Sequence, residues 1–208
     1  MKHIMNKGSN KHLIITLHGT GGSATDLFDL ASIIDPLATK VGFQGQVSEN
    51  GMARYFARYP DGSFDIESLV RATYDLHDSI LKLIKAENFQ DYMITVLGYS
   101  NGANIAKNLL KEFENVKVDN MLLFHPSLIT PKIGYKNQDN LNVLITSGIN
   151  DPYINSEQFN DLKAKLISAN MKVEAYTHNQ GHQLIHDEVI FAKNFLLKLE
   201  GEAKNEQV

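Results

Sequence analysis

The chain has 208 residues, a formal net charge of -4, 21% charged and 43% hydrophobic residues, the balance of an ordinary folded domain. That acidic balance, with no basic cluster, argues against a nucleic-acid binder, and no stretch approaches the roughly 20 apolar residues of a membrane span. Cysteine is absent, which excludes disulfides, a thiolate nucleophile and thiolate metal sites, and suits the cytoplasm.

In chain order, residues 1–10 are polar and are expected to be part edge strand and part disordered. They lack the apolar core of a signal peptide. Residues 13–17 form a continuous apolar run, the pattern of a strand buried on both faces. It leads into His18-Gly19-Thr20-Gly21-Gly22, after which a helix is expected from about Ser23, with Ser23 as its N-cap and Asp26 in the first turn. Residues 43–47 are a weaker strand candidate. Residues 48–64 read as a long aromatic loop closed by Pro60-Asp61-Gly62, and loops of that length are often functional. The rings could equally cap the core.

Residues 66–86 read as a helix with Ile66, Val70, Thr73, His77, Ile80 and Ile84 on one face. His77 on that stripe reads as a packed histidine. A strand of about residues 92–97 is followed by a helix to about Phe113, and buried strands are expected at 121–124 and 142–146. Asn155 with Gln158 has the spacing of a capping box opening a helix to about Ala169. The last strand is expected at 171–176 and the last helix at 184–199, with Ile185, Val189, Ala192, Leu196 and Leu199 inward. Residues 201–208 read as a frayed polar tail. Strands alternating with helices predict one α/β domain over residues 1–208, built on an open, mostly parallel sheet with helices on both faces.

The chemistry centres on Gly98-Tyr99-Ser100-Asn101-Gly102, a Gly-x-Ser-x-Gly between a predicted strand and helix. This is the pattern of a nucleophile elbow, a turn so tight that side chains flanking the serine at two residues' distance would collide. An ordinary strand-to-helix turn is the plainer alternative. In a parallel sheet, ligands sit at the carboxyl ends of the strands. The first strand ends in the glycine loop, and the central one ends at Ser100. Asp151, in Asn150-Asp151-Pro152, comes just after the 142–146 strand, and His178 to His182 come just after the last.

A serine hydroxyl needs a base, and an imidazole base needs an acceptor on its other nitrogen. Ser100, Asp151 and His182 supply these roles in the chain order serine, acid, histidine. Asp119 and Asp139 lie at the wrong end of their strands to compete. His178, His182 and His186 are spaced by four, as metal ligands on a helix would be, but Gly181 interrupts any helix there, so no metal is expected. His125, after another strand, remains a possible pocket-lining group. An oxyanion hole requires inward-pointing amides. Asn101, next to the nucleophile, supplies one, and Thr20 in the first loop is the expected second.

Together, His18-Gly19-Thr20-Gly21-Gly22, Glu49-Asn50-Gly51-Met52, the run from Gly98 to Ala106, Asn150-Asp151-Pro152 and Gly181-His182-Gln183-Leu184 carry a family likeness. The chain resembles the α/β-hydrolase superfamily, and more narrowly the compact carboxylesterase/phospholipase group to which acyl-protein thioesterases belong. Within that group it is similar to bacterial hydrolases linked to hydroquinone resistance. It also resembles dienelactone hydrolases in outline, although those use a cysteine nucleophile. The resemblance implies Ser100, Asp151 and His182 as a catalytic triad.

The expected activity is hydrolysis of small to medium esters or thioesters through an acyl-enzyme, with no metal or organic cofactor. Only residues 125–141 separate two core strands, too few for a cap domain, so an open, shallow pocket is expected. Met52, Tyr55, Phe56 and Tyr153 are the candidates to border it. A non-catalytic binding protein on the same fold, or a lyase or carbon–carbon hydrolase for aromatic-derived compounds, are the alternative functions. A homodimer is compatible with the sequence.

Overall fold

The computed structural model describes residues 1–205. The elements run β1 (His3–Asn6), β2 (His12–Leu17), α1 (Phe28–Ile34), β3 (Thr39–Phe43), β4 (Val47–Glu49), β5 (Met52–Arg54), α2 (Ile66–Ala86), β6 (Met93–Tyr99), α3 (Asn101–Glu112), β7 (Asn120–Phe124), β8 (Asn142–Gly148), α4 (Ser156–Ser168), β9 (Lys172–His178) and α5 (His186–Asn205). Seven strands form one sheet in the order β1-β3-β2-β6-β7-β8-β9. All neighbours are parallel except β1, which pairs antiparallel with β3. This is the α/β-hydrolase fold without a cap domain.

The period-2 alternation of a strand divides the core in two. Leu13, Ile15 and Leu17 of β2 face one side and pack with Leu69 and Leu76 of α2, Ile105 and Leu109 of α3, and Phe159 and Leu162 of α4. Ile14 faces the other side, where Ala31 and Ile34 of α1 meet Val189, Ala192, Phe195 and Leu196 of α5. Helices on both faces leave the carboxyl edge of the sheet for the loops.

Helix α2 has the expected bounds, but its buried stripe is Leu69, Thr73, Leu76, Ile80 and Leu83, with Ile66, Val70 and Ile84 only half-buried at its margin. His77 stacks on Phe113, ring centroids 3.7 Å apart. The capping box at Asn155 and Gln158 is formed in both directions.

Several boundaries differ from the sequence reading. The helix expected from Ser23 begins at Phe28, with no side-chain cap. Residues 23–27 instead hold a turn over the sheet: the Ser23 hydroxyl donates to Asp26, and the Ala24 amide donates to Gln44 Oε1 at 3.0 Å. That turn presses the Ala24 carbonyl onto Gly42, where a Cβ would overlap it. This close approach explains why β3 carries a glycine, and the weak candidate at 43–47 is in fact the end of β3 and the start of β4.

The stretch read as a loop contains the β4–β5 hairpin. Asn50 and Gly51 at its tip both have positive φ, 52° and 82°, the conformation that Asn-Gly supplies in two-residue hairpins. At the N-terminus, β1 is the edge strand. At the other end α5 continues past Leu199 to Asn205, so part of the expected tail is helical, and residues 206–208 lie outside the described residues.

Candidate active site

Strand β6 delivers Ser100 to the carboxyl edge of the sheet, and α3 starts at the next residue. Ser100 sits at φ 52°, ψ -110°, a region that costs a non-glycine residue strain. The amide of Ser100 donates to the Phe124 carbonyl of β7 at 2.9 Å, which pins the turn. A Cβ on Gly98 would lie 2.7 Å from the Ala103 nitrogen, and one on Gly102 would overlap the Leu17 carbonyl. Both flanking glycines are therefore required by contact, as the motif suggests.

The structure brings Ser100, His182 and Asp151 together. His182 Nε2 lies 2.8 Å from Ser100 Oγ, and His182 Nδ1 lies 2.7 Å from Asp151 Oδ2. Asp151 follows β8, and its other oxygen, Oδ1, accepts the Tyr153 amide at 2.9 Å. Burial would raise the Asp151 pKa, but hydrogen bonds from His125, the Tyr153 amide and His182 outweigh it and hold the carboxyl below its ordinary value. Burial lowers the His182 pKa, and Asp151 offsets that only in part. The site thus favours a charged acid beside a neutral imidazole at neutral pH. Asp119 faces away from this edge, accepting the Ile94 amide at 2.7 Å near the start of β6.

The glycine loop after β2 is braced from three sides. His18, buried, donates from Nδ1 to the Gly19 carbonyl at 2.6 Å and accepts the Gly45 amide on Nε2 at 3.0 Å. Gly21 donates to the Ala53 carbonyl of the hairpin at 2.9 Å. Arg54 Nη1 donates to Thr20 Oγ1 at 2.7 Å. The Asn101 amide, first in α3, has no intrahelical acceptor.

Thr20, Ser100, Asn101 and His182 line a cleft of about 320 Å³. Met52 and Tyr153 border it as expected. Tyr55 and Phe56 do not: both are core residues, and Tyr55 uses its hydroxyl to donate to the Phe43 carbonyl at 2.7 Å. Arg54, at the end of the hairpin, and Arg58, four residues further on, line the cleft instead. Arg54 and Arg58 share a single carboxylate, Glu49, with Arg58 Nη2 at 2.5 Å from Glu49 Oε1 and Arg54 Nε at 3.3 Å from Oε2. Aromatic content drew the sequence reading to this segment, and its lining is mixed: Met52 and Phe64 with Arg54 and Arg58.

Two further residues stand behind the site. His125, wholly buried after β7 with φ 53°, places Nδ1 3.0 Å from Asp151 Oδ2 and Nε2 3.3 Å from Oε1 of Glu188, which is also buried. Glu188 Oε1 also accepts the Ile185 amide at 2.7 Å, the backward half of a capping box opening α5. Sequence reasoning left His125 as a pocket-lining option and missed Glu188. The signal for Glu188 was an acid three residues from Ile185 and four from Ala192, on the inward stripe of the last helix.

The same geometry bears on metal binding. His125, His178 and Glu188 bring ligand atoms within 4.8 Å of one another, as do His125, Asp151 and His182. The Gln180 amide donates to His178 Nδ1 at 3.1 Å, so the proton of a neutral His178 sits on Nε2, the atom facing the cluster. A protonated nitrogen donates and does not ligate. The first cluster is therefore better described as hydrogen-bonded, and Asp151 of the second is occupied by its two histidines. His186 opens α5 and is not aligned with His178 and His182 on any helix.

Comparison with known proteins places the chain among hydrolases. The chain is 36% identical over 195 residues to the hydrolase MhqD of Bacillus subtilis (strain 168), covering 94% of this chain and 97% of the other. Among solved structures, the Bacillus cereus carboxylesterase superposes with a TM-score of 0.89 at 37% identity, over 95% of this chain and 94% of that one. YahD, solved with malic acid, superposes with a TM-score of 0.83 at 29% identity, over 95% of this chain and 98% of that one. The protein is a hydrolase of esterase type. The sequence profile of the dienelactone hydrolase family matches residues 53–194, a span holding Ser100, Asp151 and His182, and the chain belongs to that family.

Proposed function

We propose that the protein hydrolyses small to medium carboxylic esters or thioesters through a serine acyl-enzyme. The observation that carries this reading is the hydrogen-bonded line from Ser100 Oγ through the His182 ring to Asp151, at 2.8 and 2.7 Å. Ser100 attacks the carbonyl carbon while His182 Nε2 takes its proton. Asp151 holds the other ring nitrogen and stabilises the imidazolium. The amides of Thr20 and Asn101 receive the oxyanion; a donor of that kind is worth about 2.7–4 kcal/mol of barrier. His182 then protonates the leaving alkoxide or thiolate, and water repeats the sequence to release the acid. These steps use protein groups and water alone.

The cleft supports the substrate range. About 320 Å³ lies near the lower end of small-molecule sites. Met52, Phe64 and Tyr153 offer apolar contact, while Arg54 and Arg58 against Glu49 leave one wall net positive. An ester carrying an anionic group is therefore favoured over a neutral one of equal size.

A fluorophosphonate probe tests the reading. Stoichiometric labelling at Ser100, lost together with esterase activity in Ser100→Ala, is the expected result. Hydrolysis that survives Ser100→Ala would overturn it.

A further inference from the structure

We propose that His125 is a positioning residue for this reaction: an imidazolium locked between Asp151 and Glu188, whose fixed positive charge orients the acid and keeps the base neutral. The inference rests on the triad reading above and adds to it a second histidine, itself remote from the cleft.

Each ring nitrogen of His125 faces a carboxylate. Nδ1 is 3.0 Å from Asp151 Oδ2 and Nε2 is 3.3 Å from Glu188 Oε1. Ionised carboxylates only accept, so both nitrogens must carry protons to satisfy both contacts. Asp151 and Glu188 have side chains closed to solvent, as does His125. Two carboxylates buried together without a cation would be costly, and His125 supplies the cation.

The remaining neighbours bear on that protonation. His178, at the end of β9, holds Nε2 3.4 Å from His125 Nε2 and 3.7 Å from Glu188 Oε1, so a doubly protonated His125 leaves the His178 N–H facing the Glu188 charge at ion-pair distance, while a neutral His125 would accept that N–H on Nε2. Glu188 Oε1 already accepts the Ile185 amide, and Oε2 has no partner among the described residues. Tyr99, at the end of β6, meets the ring edge-on at 5.9 Å between centroids, and His182 meets it at 5.2 Å. Among the described residues, these five side chains, Asp151, Glu188, His178, Tyr99 and His182, are the titratable groups facing His125. Burial by itself would lower the His125 pKa, but its bonds to Glu188 and Asp151 and their charges raise it.

The consequence reaches His182 through a shared atom. Asp151 Oδ2 accepts from both His125 and His182, at 3.0 and 2.7 Å. With His125 charged, His182 faces two anions and one cation; without it, two anions alone. Removing the cation would stabilise protonated His182, which cannot act as a base. Glu188 in turn keeps His125 charged.

The test uses the full-length protein with ring-nitrogen-labelled histidine and reads two quantities. Nitrogen spectra should show both His125 ring nitrogens protonated at neutral and mildly alkaline pH, with the signal assigned by its loss in His125→Gln. In Glu188→Gln the same ring should lose a proton within that range. A neutral His125 ring in the unaltered protein at neutral pH would overturn the proposal; if His125→Gln fails to fold, through-bond correlation of each ring to its own assigned backbone amide identifies His125 instead. The second quantity is the rate of fluorophosphonate labelling of Ser100 against pH. His125→Gln should move the acid limb upward by about one pH unit, roughly tenfold slower labelling on that limb. A folded variant with an unmoved acid limb would overturn the tuning role, since a purely structural role changes rate without moving that midpoint. Failure of the unaltered protein to label at all would overturn the acyl-enzyme reading instead, while the nitrogen spectra still decide the charge of His125.

Discussion

The Tyr99 hydroxyl donates to the backbone carbonyl of His182 at 2.6 Å, and the two rings stack with centroids 5.7 Å apart. Tyr99 immediately precedes Ser100, so the residue that ends the elbow strand also tethers the loop carrying the base. The loop's other backbone anchors come before His182, from the Asn150 side chain to the Asn179 carbonyl at 3.1 Å and from the Asn150 amide to the Gln180 carbonyl at 3.4 Å. Tyr99→Phe keeps the ring and removes the tether. The loss of one neutral hydrogen bond, about 1 kcal/mol, should lower kcat/KM roughly fivefold. Ser100 should still label fully with a fluorophosphonate, only more slowly. Unchanged steady-state kinetics in Tyr99→Phe would show that the loop holds its position without the tether.

Most of the architecture was legible because it is written in short-range patterns. The continuous apolar runs of β2, β6, β7 and β8, the 3.6-residue period of α2 and the box at Asn155 each depend on neighbours close in sequence. The residues at the ends of successive strands meet because a parallel sheet gathers its carboxyl ends on one edge. What stayed hidden depends on tertiary contact. Gly42 makes room for a carbonyl from a loop 18 residues away, and without that contact it only weakens a strand pattern. Glu188 looks like a helix-opening acid until β7 brings His125 to it. The Asn50-Gly51 hairpin is the exception: its turn signal was local, and the aromatic residues around it drew the eye away.

The elbow glycine at Gly102 makes a strong stability prediction. In α3 a Cβ at this position points at the β2 backbone, overlapping the Leu17 carbonyl with the His18 carbonyl 2.7 Å away. Neither can retreat, because β2 is bonded on both sides, to β3 and β6. Gly102→Ala should therefore lose stability despite the better helix propensity of alanine, in the range of overpacked cores, about 1–3 kcal/mol or more. Urea denaturation measures this directly. A variant as stable as the parent would mean that α3 can slide off β2.

Arg54 and Arg58 lead to a specificity prediction. Arg58 is part-exposed at the cleft and forms its ion pair with Glu49 through two nitrogens. Arg58→Gln leaves Arg54 and Glu49 as a balanced pair and removes the net positive charge from the wall. KM for an ester bearing a carboxylate should rise about tenfold, the scale of one charge-assisted hydrogen bond. KM for a neutral ester of the same size should change little. Equal effects on both esters would point to a role in shaping the hairpin, with no part in reading substrate charge.

Helix α3 buries Lys107 completely behind the site. Its ammonium donates to the Ser127 carbonyl in the loop after His125, and among the described residues no carboxylate pairs with it. Burial, with a smaller contribution from the Lys111 charge, lowers its pKa from 10.5 to about 7. The unfolded chain therefore holds a proton that the native protein has released between about pH 7 and pH 10.5, so stability rises with pH across that window. Below it both states are protonated, and the burial penalty stands at full size. Lys107→Met removes the titrating group and keeps most of the apolar stem. The variant should gain melting temperature over the parent at about pH 6, and the gain should shrink steadily toward about pH 9. Taking the difference between the two proteins removes most of the contribution of Lys111, whose pKa is lowered to about 8 and which shifts stability in the same direction, leaving only its coupling to Lys107. A difference in melting temperature that stays flat from about pH 6 to about pH 9 would show that Lys107 keeps its charge in the folded protein.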